Sequence, residues 1–238
     1  MGTTATLLRA VPPGLAPQPV PPLENGERLT LPEFERRYEV APEDLKAELI
    51  EGVVYMSSPV RGKVHGRQTF RLSWWLAHYS LFTPGTEGYD NTTVRLDVDN
   101  EPQPDAFLLI LPEFGGQSSM SDDGYNEDAP ELVAEVAASS RSIDLHAKFN
   151  AYRRNRVREY LVWRVLDGEL DWFVWREGEY QRLIPDDTGI YRSEVFPGLW
   201  LNAPALLRDD RPAVLQTLQA GLESPEHADF VAALQARD

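Results

Sequence analysis

Apolar residues recur along the chain at two spacings, and the helical spacing marks several segments. Between about residues 61 and 79, one helical face carries His65, Thr69, Leu72, Leu76 and Tyr79. The serine-rich run 139–142 has N-cap chemistry, and the helix predicted after it buries Leu145, Phe149 and Tyr152. We also predict a short helix over 32–46 and two short helices around Ser224-Pro225.

Strand-like runs lie between these predicted helices. The segment 48–55 predicts a hairpin that turns at Gly52, and Asp167-Gly168 predicts a second hairpin turn. Strands are predicted at 91–97, 104–111, 130–138, 159–165 and 170–175, with more β-structure to about residue 201. The polar segment between the predicted strands 104–111 and 130–138 should lie on the surface. The order of elements predicts an α/β fold that borders on α+β, with a mixed sheet flanked by helices.

The composition divides the chain into three parts. Seven of the 19 prolines fall within residues 1–32, so residues 1–30 should form an extended tail without a core of their own. Residues 31–202 carry the predicted sheet and should form the main domain. Residues 203–238 should form a helical extension.

The residue content of the chain excludes several classes of protein. A chain of 238 residues that is 42% hydrophobic can build one compact core. The absence of cysteine excludes disulfide frameworks, thiolate zinc sites, iron–sulfur clusters and cysteine nucleophiles. No apolar run approaches the roughly 18 residues of a membrane span, and residues 1–30 show no secretion signal. We therefore expect a cytoplasmic protein that makes no membrane contact.

The net charge of −15 argues against extensive wrapping of nucleic acid. Residues 101–135 contain nine carboxylates and no basic residue, whereas 61–71 and 141–159 are rich in arginine and lysine. The basic helices could lie on a solvated surface, or they could flank an acidic pocket and grip a sugar–phosphate backbone. Any contact with DNA should then be weak, local and sensitive to salt.

Two acidic residues stand in strands that are otherwise apolar. Asp105 opens the run Pro-Asp-Ala-Phe-Leu-Leu-Ile-Leu, and Glu135 lies within Leu-Val-Ala-Glu-Val-Ala. Burying an ionised carboxylate costs several kcal/mol unless a cation or hydrogen-bond donors compensate it. Hard oxygen ligands without sulfur favour Mg²⁺ or Mn²⁺, so the pair predicts a metal site. The alternative is that each acid pairs with an arginine or ends a strand.

Lys148 is one of only three lysines in a chain with 20 arginines. Unlike a guanidinium, its amine has a pKa that the surroundings can change, and it can position or activate a water. The alternative is a plain helix pair between Lys148 and Asp144, four residues earlier. His65 lies on the inward side of its helix, where a core role and a role near metal or phosphate are both open. For Tyr152 the apolar stripe favours a core position.

The order of these residues along the chain resembles that of the Uma-two family of restriction-endonuclease-like proteins, which belongs to the PD-(D/E)xK nuclease superfamily. The resemblance lies in Glu48-Leu-Ile-Glu-Gly, Ser58-Pro59 with His65, Pro104-Asp105, Glu135-Val136, Asp144-x-x-x-Lys148-x-x-x-Tyr152, Arg158-Glu159-Tyr160-Leu161-Val162-Trp163 and Phe196-Pro197-Gly198-Leu199. These motifs span roughly residues 46–202, and their order and spacing are more specific than any one of them. The resemblance implies a restriction-endonuclease-like core with extra hairpins and a helical C-terminus.

The resemblance also implies residue roles. Asp105 and Glu135 would be metal ligands, Lys148 the amine beside the attacking water, and Glu48 a further acid of the site. The superfamily pattern expects a lysine two residues after the second acid, where this chain has Ala137. In the family that lysine looks relocated to the following helix, which makes Lys148 its substitute.

These residues predict a Mg²⁺-dependent endonuclease that hydrolyses DNA phosphodiester bonds with metal-activated water. Two other hypotheses stay open: a catalytically inactive nuclease-like binding or assembly protein, and a nuclease subunit that needs a DNA-binding partner protein. An exposed edge strand and the tryptophans Trp163, Trp172 and Trp175 favour a homodimer.

Overall fold

A computed structural model describes residues 19–56, 65–138 and 142–237 of the chain. Its helices are α1 Leu31–Tyr38, α2 Arg67–Leu81, α3 Phe149–Arg154, α4 Ala203–Leu207, α5 Arg211–Leu222 and α6 Pro225–Gln235. A 3-10 turn covers Pro112–Phe114, and a π-helical segment, Ile143–Lys148, runs directly into α3.

The strands include two hairpins that the sequence predicts. Their bounds are β1 Ala47–Ile50, β2 Val53–Met56, β3 Thr86–Tyr89, β4 Val94–Arg95, β5 Ala106–Ile110, β6 Ser119–Met120, β7 Asn126–Glu127, β8 Leu132–Ala137, β9 Glu159–Arg164, β10 Glu169–Arg176, β11 Glu179–Arg182, β12 Ile190–Arg192 and β13 Trp200–Asn202. The hairpin β1–β2 turns at Gly52 and the hairpin β9–β10 turns at Gly168; both glycines have positive φ, as such turns require.

A six-stranded sheet organises the molecule, in the order β11-β10-β9-β8-β5-β3. Strands β8 and β9 are parallel and every other neighbouring pair is antiparallel. The prediction of a mixed sheet with flanking helices and a helical C-terminus is therefore confirmed.

The two faces of the sheet pack against different helices because side chains alternate along β8. One face places Leu132, Ala134 and Val136 in a core shared with the buried residues of α2 and the C-terminal helices. The other face places Val133 and Ala137 in a second core with Tyr152 of α3. Glu135 shares this second face, as its position in the strand predicts.

The edge of the sheet differs from the sequence prediction. The strand expected at 91–97 contributes only Val94–Arg95, which pairs with β7 in a small separate sheet, and the edge strand is Thr86–Tyr89 instead. Only Thr86 of this strand, Thr-Glu-Gly-Tyr, is buried, and the sequence is mostly polar, so its hydrophobic signal is weak. The helix expected over 32–46 ends at Tyr38, because the proline at position 42 disfavours helical backbone before it.

The predicted N-cap before the second long helix lies mostly outside the described residues, since Ser139 and Ser140 are not among them. Ser142 is described; its backbone is helical and its side chain makes no capping hydrogen bond. The two short helices predicted around Ser224-Pro225 are α5 and α6, and the side chain of Ser224 caps α6 by accepting a hydrogen bond from the backbone N–H of His227.

The described part of the proline-rich segment runs along the β1–β2 hairpin. The backbone N–H of Gly26 donates to Val54 and that of Leu29 donates to Gly52, while Leu23 is buried beside Phe34. Trp163 and Trp172 are buried in the main core, so they offer no exposed surface to a second subunit, and the homodimer stays a prediction. Within the described ranges, no helix has the length and apolarity to cross a membrane.

Candidate functional site

Asp105 and Glu135 meet because β5 and β8 are antiparallel neighbours. Their register pairs Ala106 with Ala134, which sets Asp105, just before β5, opposite Glu135 on β8. The Asp105 carboxylate accepts a 2.7 Å hydrogen bond from the N–H of Val136. The Asp105 N–H in turn donates to Oε2 of Glu135, at 3.3 Å. The two predicted metal ligands are thus buried neighbours.

Lys148 reaches the same place from the end of the π-helical segment. Its Nζ lies 2.9 Å from Oε1 of Glu135 and 2.7 Å from Oε1 of Glu48. The superfamily's usual lysine position is occupied by Ala137, which is buried two residues beyond Glu135. The following helical segment therefore supplies the ammonium, as the relocated lysine of the family resemblance implies. Lys148 therefore contacts carboxylates on two different strands, β1 and β8. It is not simply the partner of Asp144 within one helical segment, which was the alternative.

Glu48 joins the cluster from the small hairpin. It is on β1, and its Oε1 accepts a 2.6 Å hydrogen bond from the backbone N–H of Gln103 as well as the contact from Lys148. The side-chain amide of Gln103 donates to Tyr38 and Thr93, which ties the segment before β5 to its surroundings. The hairpin and the central sheet therefore share one polar centre.

His65, just before α2, contacts the cluster at Asp105. Its Nε2 lies 3.2 Å from Oδ1 of Asp105, and its Nδ1 lies 3.2 Å from the hydroxyl of Thr69. The hydrogen bond to Asp105 raises the pKa of His65 above its usual value, despite burial, which acts in the opposite direction. His65 therefore stands at the site rather than in the apolar core. Ser58 and Pro59 of the same motif lie outside the described residues.

Tyr152 is a site residue that the sequence interpretation assigned to the core. It is fully buried on the second face of the sheet, as the stripe predicts, but its hydroxyl donates a 2.9 Å hydrogen bond to Oε1 of Glu135. Its position four residues after Lys148 was the available signal, because such residues lie on one side of a helix. Asp144 is also buried close to Lys148, and its backbone carbonyl accepts a hydrogen bond from Tyr160.

The electrostatics of the cluster follow from an excess of carboxylates in a buried space. Burial raises the pKa of Glu135 well above its usual value, and the neighbouring carboxylates of Asp105, Asp144 and Glu48 raise it further, against the opposing effect of Lys148. Burial acts to lower the pKa of Lys148, but the carboxylates of Glu135, Glu48 and Asp144 prevail and raise it well above its usual value. Lys148 therefore holds its proton firmly.

Asp105 behaves differently from Glu135. Burial acts to raise the pKa of its carboxyl, but the hydrogen bond and charge of His65 and the N–H of Val136 together lower it. Asp105 is thus held as a carboxylate, with donors on both oxygens. Two neighbouring acids in one cluster have pKa values displaced in opposite directions, a pattern concentrated at functional sites.

The basic helices predicted to flank the site are largely engaged elsewhere. Arg67 and Arg71 of α2 form ion pairs with Asp209. Arg153 pairs with Glu179 and Arg154 with Glu51, at the surface.

The donor set fits a divalent cation in its chemistry. Four carboxyl groups, those of Glu48, Asp105, Glu135 and Asp144, lie around Lys148, so the cluster has more acidic than basic groups even with His65 included. Hard carboxylate oxygens are the ligands that Mg²⁺ and Mn²⁺ prefer. In the side-chain arrangement of residues 19–56, 65–138 and 142–237, no group of three or more His, Asp or Glu is positioned to hold a metal. Asp105 and Glu135 are the pair that would hold one.

The mixed sheet, with two acids on adjacent strands and a lysine on the next helical segment, defines a restriction-endonuclease-like fold. A family model described as "Uma2: Putative restriction endonuclease" matches residues 31–204. The match covers most of the chain, so the chain belongs to the Uma2 family, the Uma-two family of the sequence resemblance.

A solved structure supports the fold. It is described as "a putative nuclease belonging to DUF820 from Anabaena variabilis ATCC 29413" and is similar to this chain with a TM-score of 0.55 at 15% identity. The similarity covers 76% of this chain and 98% of that one. No curated protein matches the chain.

Proposed function

We propose that this chain is a Mg²⁺- or Mn²⁺-dependent endonuclease that hydrolyses phosphodiester bonds of DNA. The observation that carries the proposal is the buried cluster in which Lys148 Nζ lies within 2.9 Å of Glu48 and Glu135 while Asp105 stands opposite Glu135. The description of the family as restriction endonucleases supports both the reaction and the choice of DNA.

Asp105 and Glu135 are the residues proposed to hold the metal. When bound, a divalent ion would supply a Lewis acid for the phosphate and lower the pKa of a water. Lys148 retains its proton among the carboxylates, so its role is that of a positive donor that orients water and offsets developing negative charge, not that of a base. Glu48 holds the ammonium in place, and His65 restrains Oδ1 of Asp105.

A plasmid-nicking assay tests the proposal. Purified protein is incubated with supercoiled DNA and Mg²⁺ or Mn²⁺, alongside the variants Asp105→Asn and Glu135→Gln. The matched control is Glu113→Gln, an exposed acid in the turn that follows the opposite end of β5 from Asp105. We expect wild type and the control to nick DNA and both site variants to lose at least about a hundredfold in rate. Nicking that persists unchanged in both site variants would rule the proposal out.

The alternative of a non-catalytic nuclease-like protein is favoured by one observation: Oε1 of Glu135 already accepts hydrogen bonds from Lys148 and Tyr152. Titration calorimetry with Mn²⁺ separates the candidates. Binding that Asp105→Asn abolishes, without nicking by wild type, favours a nuclease subunit that needs a partner protein. The absence of both binding and nicking favours the non-catalytic protein.

A further inference from the structure

A pocket of about 320 Å³ lies between α2 and α5, on the side of α2 away from the sheet. Its lining combines arginines and aromatic rings, with an apolar floor from α4 and α5. The residues that matter are Arg67, Phe70, Arg71, Trp74 and Arg211. This α2–α5 pocket falls within the size range of small-ligand sites.

Three guanidinium groups converge on one carboxylate at the rim of the α2–α5 pocket. Arg67 and Arg71 form close ion pairs with Asp209, and Arg211 lies 3.8 Å from it. Asp209 has a φ of +65°, a left-handed conformation that a residue other than glycine rarely adopts. The contact of Arg211 is long and its side chain is 76% exposed, so its donors can reach an incoming anion.

Two aromatic rings complete the pocket. Phe70 is 75% exposed, although it is a large apolar residue on a regular helix. Trp74 lies one turn further along α2 and packs partly against the main core. Rings four residues apart face the same side of a helix, so the two offer neighbouring surfaces on which a planar group can stack.

The charge of the pocket contrasts with that of the whole chain. Its lining has three arginines against the two carboxylates of Asp209 and Asp210, whereas the chain carries −15. Asp210 is already engaged, because it caps α5 by accepting a hydrogen bond from the N–H of Ala213. The pocket is therefore a local site for an anion with a flat apolar part, which is the composition of a nucleotide.

The pocket lies near the catalytic cluster along the chain. His65, which contacts Asp105, precedes Arg67 by two residues, so their Cα atoms are at most about 7 Å apart. Both stand at the N-terminal end of α2. A DNA strand that passes around this end of the helix can contact the cluster and the pocket together.

We propose that the α2–α5 pocket binds an unpaired nucleotide of the DNA substrate, with the base stacked on Phe70 and Trp74 and the phosphate at Arg211. A base inside a duplex keeps its faces covered by its neighbours, so only an unpaired base can stack on these rings. The inference rests on the proposed function, because it places a nucleotide of the same substrate.

Fluorescence anisotropy in EDTA tests the inference without cleavage. A labelled single-stranded oligonucleotide and a duplex of the same length are titrated at low salt with wild type, Phe70→Ala and Arg211→Gln. We expect Phe70→Ala to weaken single-strand binding at least fivefold and duplex binding less than twofold. Arg211→Gln should weaken binding to both and reduce the dependence of log affinity on log salt by about one.

Matched variants control for general effects on folding and charge. Ile184→Ala removes an equally exposed apolar side chain outside the pocket, and Arg208→Gln removes an exposed arginine that does not line it. Both should bind single strands as wild type does. A free deoxynucleoside monophosphate should compete only weakly, because it lacks the backbone contacts of the strand.

The inference is overturned if wild type does not prefer the single strand, or if Phe70→Ala and the Ile184→Ala control behave alike. It is also overturned if Phe70→Ala dissociates a dimer in size-exclusion chromatography while single-strand affinity stays unchanged, since a second copy would then cover the pocket. A failure of the nuclease proposal appears separately, as absence of nicking by wild type while the binding in EDTA follows the pattern above.

Discussion

Tyr152 donates a 2.9 Å hydrogen bond to the Oε1 atom of Glu135, the atom that also contacts the ammonium of Lys148. A tyrosine on the buried stripe of α3 thereby becomes part of a polar centre. Its ring contributes to the second core through its contact with Tyr160, while its hydroxyl satisfies a buried acceptor. Packing and polar function are thus combined in one side chain.

The variant Tyr152→Phe should therefore destabilise the fold without removing any packing. It keeps the ring and deletes the donor to Glu135, and a buried acceptor that loses a donor costs about 1–3 kcal/mol. The free energy of unfolding is measured in urea. Tyr55→Phe serves as control: Tyr55 lies half-buried on the β1–β2 hairpin, and its hydroxyl has no hydrogen-bond partner among the described residues. This variant should change stability by less than about 0.5 kcal/mol. Equal stability of Tyr152→Phe and wild type would contradict the role given to the hydroxyl.

Lys148→Met should destabilise the protein strongly. The variant keeps an unbranched side chain but leaves buried carboxylates without their cation, and the loss of one partner of a buried ion pair costs about 3–5 kcal/mol. Without the ammonium, the pKa of Glu135 should rise further, so the loss should be smaller near pH 5 than near pH 8. Urea unfolding at both pH values measures it, with exposed Lys46→Met as control. A loss that is independent of pH would argue against charge as the cause.

Glu159 should make the stability of the protein fall as pH rises. It is fully buried, and burial raises the pKa of its carboxyl to about 7 despite hydrogen bonds from Ser193 and the N–H groups of Glu194 and Val195. The folded state therefore binds a proton more tightly than the unfolded state, whose pKa is near 4.5. Stability from this group is complete below pH 4.5 and is lost as pH rises towards 7.

The difference between pKa values of 4.5 and about 7 corresponds to about 3 kcal/mol. Glu159→Gln cannot ionise, so its unfolding free energy should vary less between pH 5 and pH 8 than that of wild type. Exposed Glu113→Gln should keep the wild-type profile. Parallel pH profiles for Glu159→Gln and wild type would show that Glu159 does not cause the dependence.

Gly198→Ala should be more harmful than an alanine at another left-handed glycine. Gly198 has a φ of +88°, and a Cβ there would lie 2.7 Å from Cβ of His227 and 2.8 Å from the carbonyl oxygen of Gly221. Gly178 has a φ of +92° but nothing within 4 Å of such a Cβ. Left-handed strain costs about 1–2 kcal/mol at either glycine, and overpacking adds about 1–3 kcal/mol at Gly198 alone. Thermal unfolding of both variants measures the difference; equal losses would refute the close packing of α6 at Gly198.

The sequence predicts the candidate site better than it predicts the edge of the fold. Asp105 and Glu135 are visible because acids are rare in apolar strands, and Lys148 is visible because lysines are few in this chain. The edge strand Thr86–Tyr89 gives no comparable signal, because an edge strand is partly exposed to solvent and its polar and apolar residues do not alternate clearly. Glu48 entered the site only through the family resemblance, because nothing local distinguishes an acid on a hairpin.

The amino-acid sequence by itself determined the order of the main helices and of the buried strands, the hairpin turns and the faces of β8, because these follow from local periodicity and from backbone preferences of glycine and proline. Only the tertiary structure decided that Lys148 joins Glu48 to Glu135 and that the hydroxyl of Tyr152 reaches the same oxygen. Those contacts join segments separated by 13 to 100 residues. Their geometry depends on strand register and on the π-helical turn before α3, which no pattern within a short window of sequence specifies.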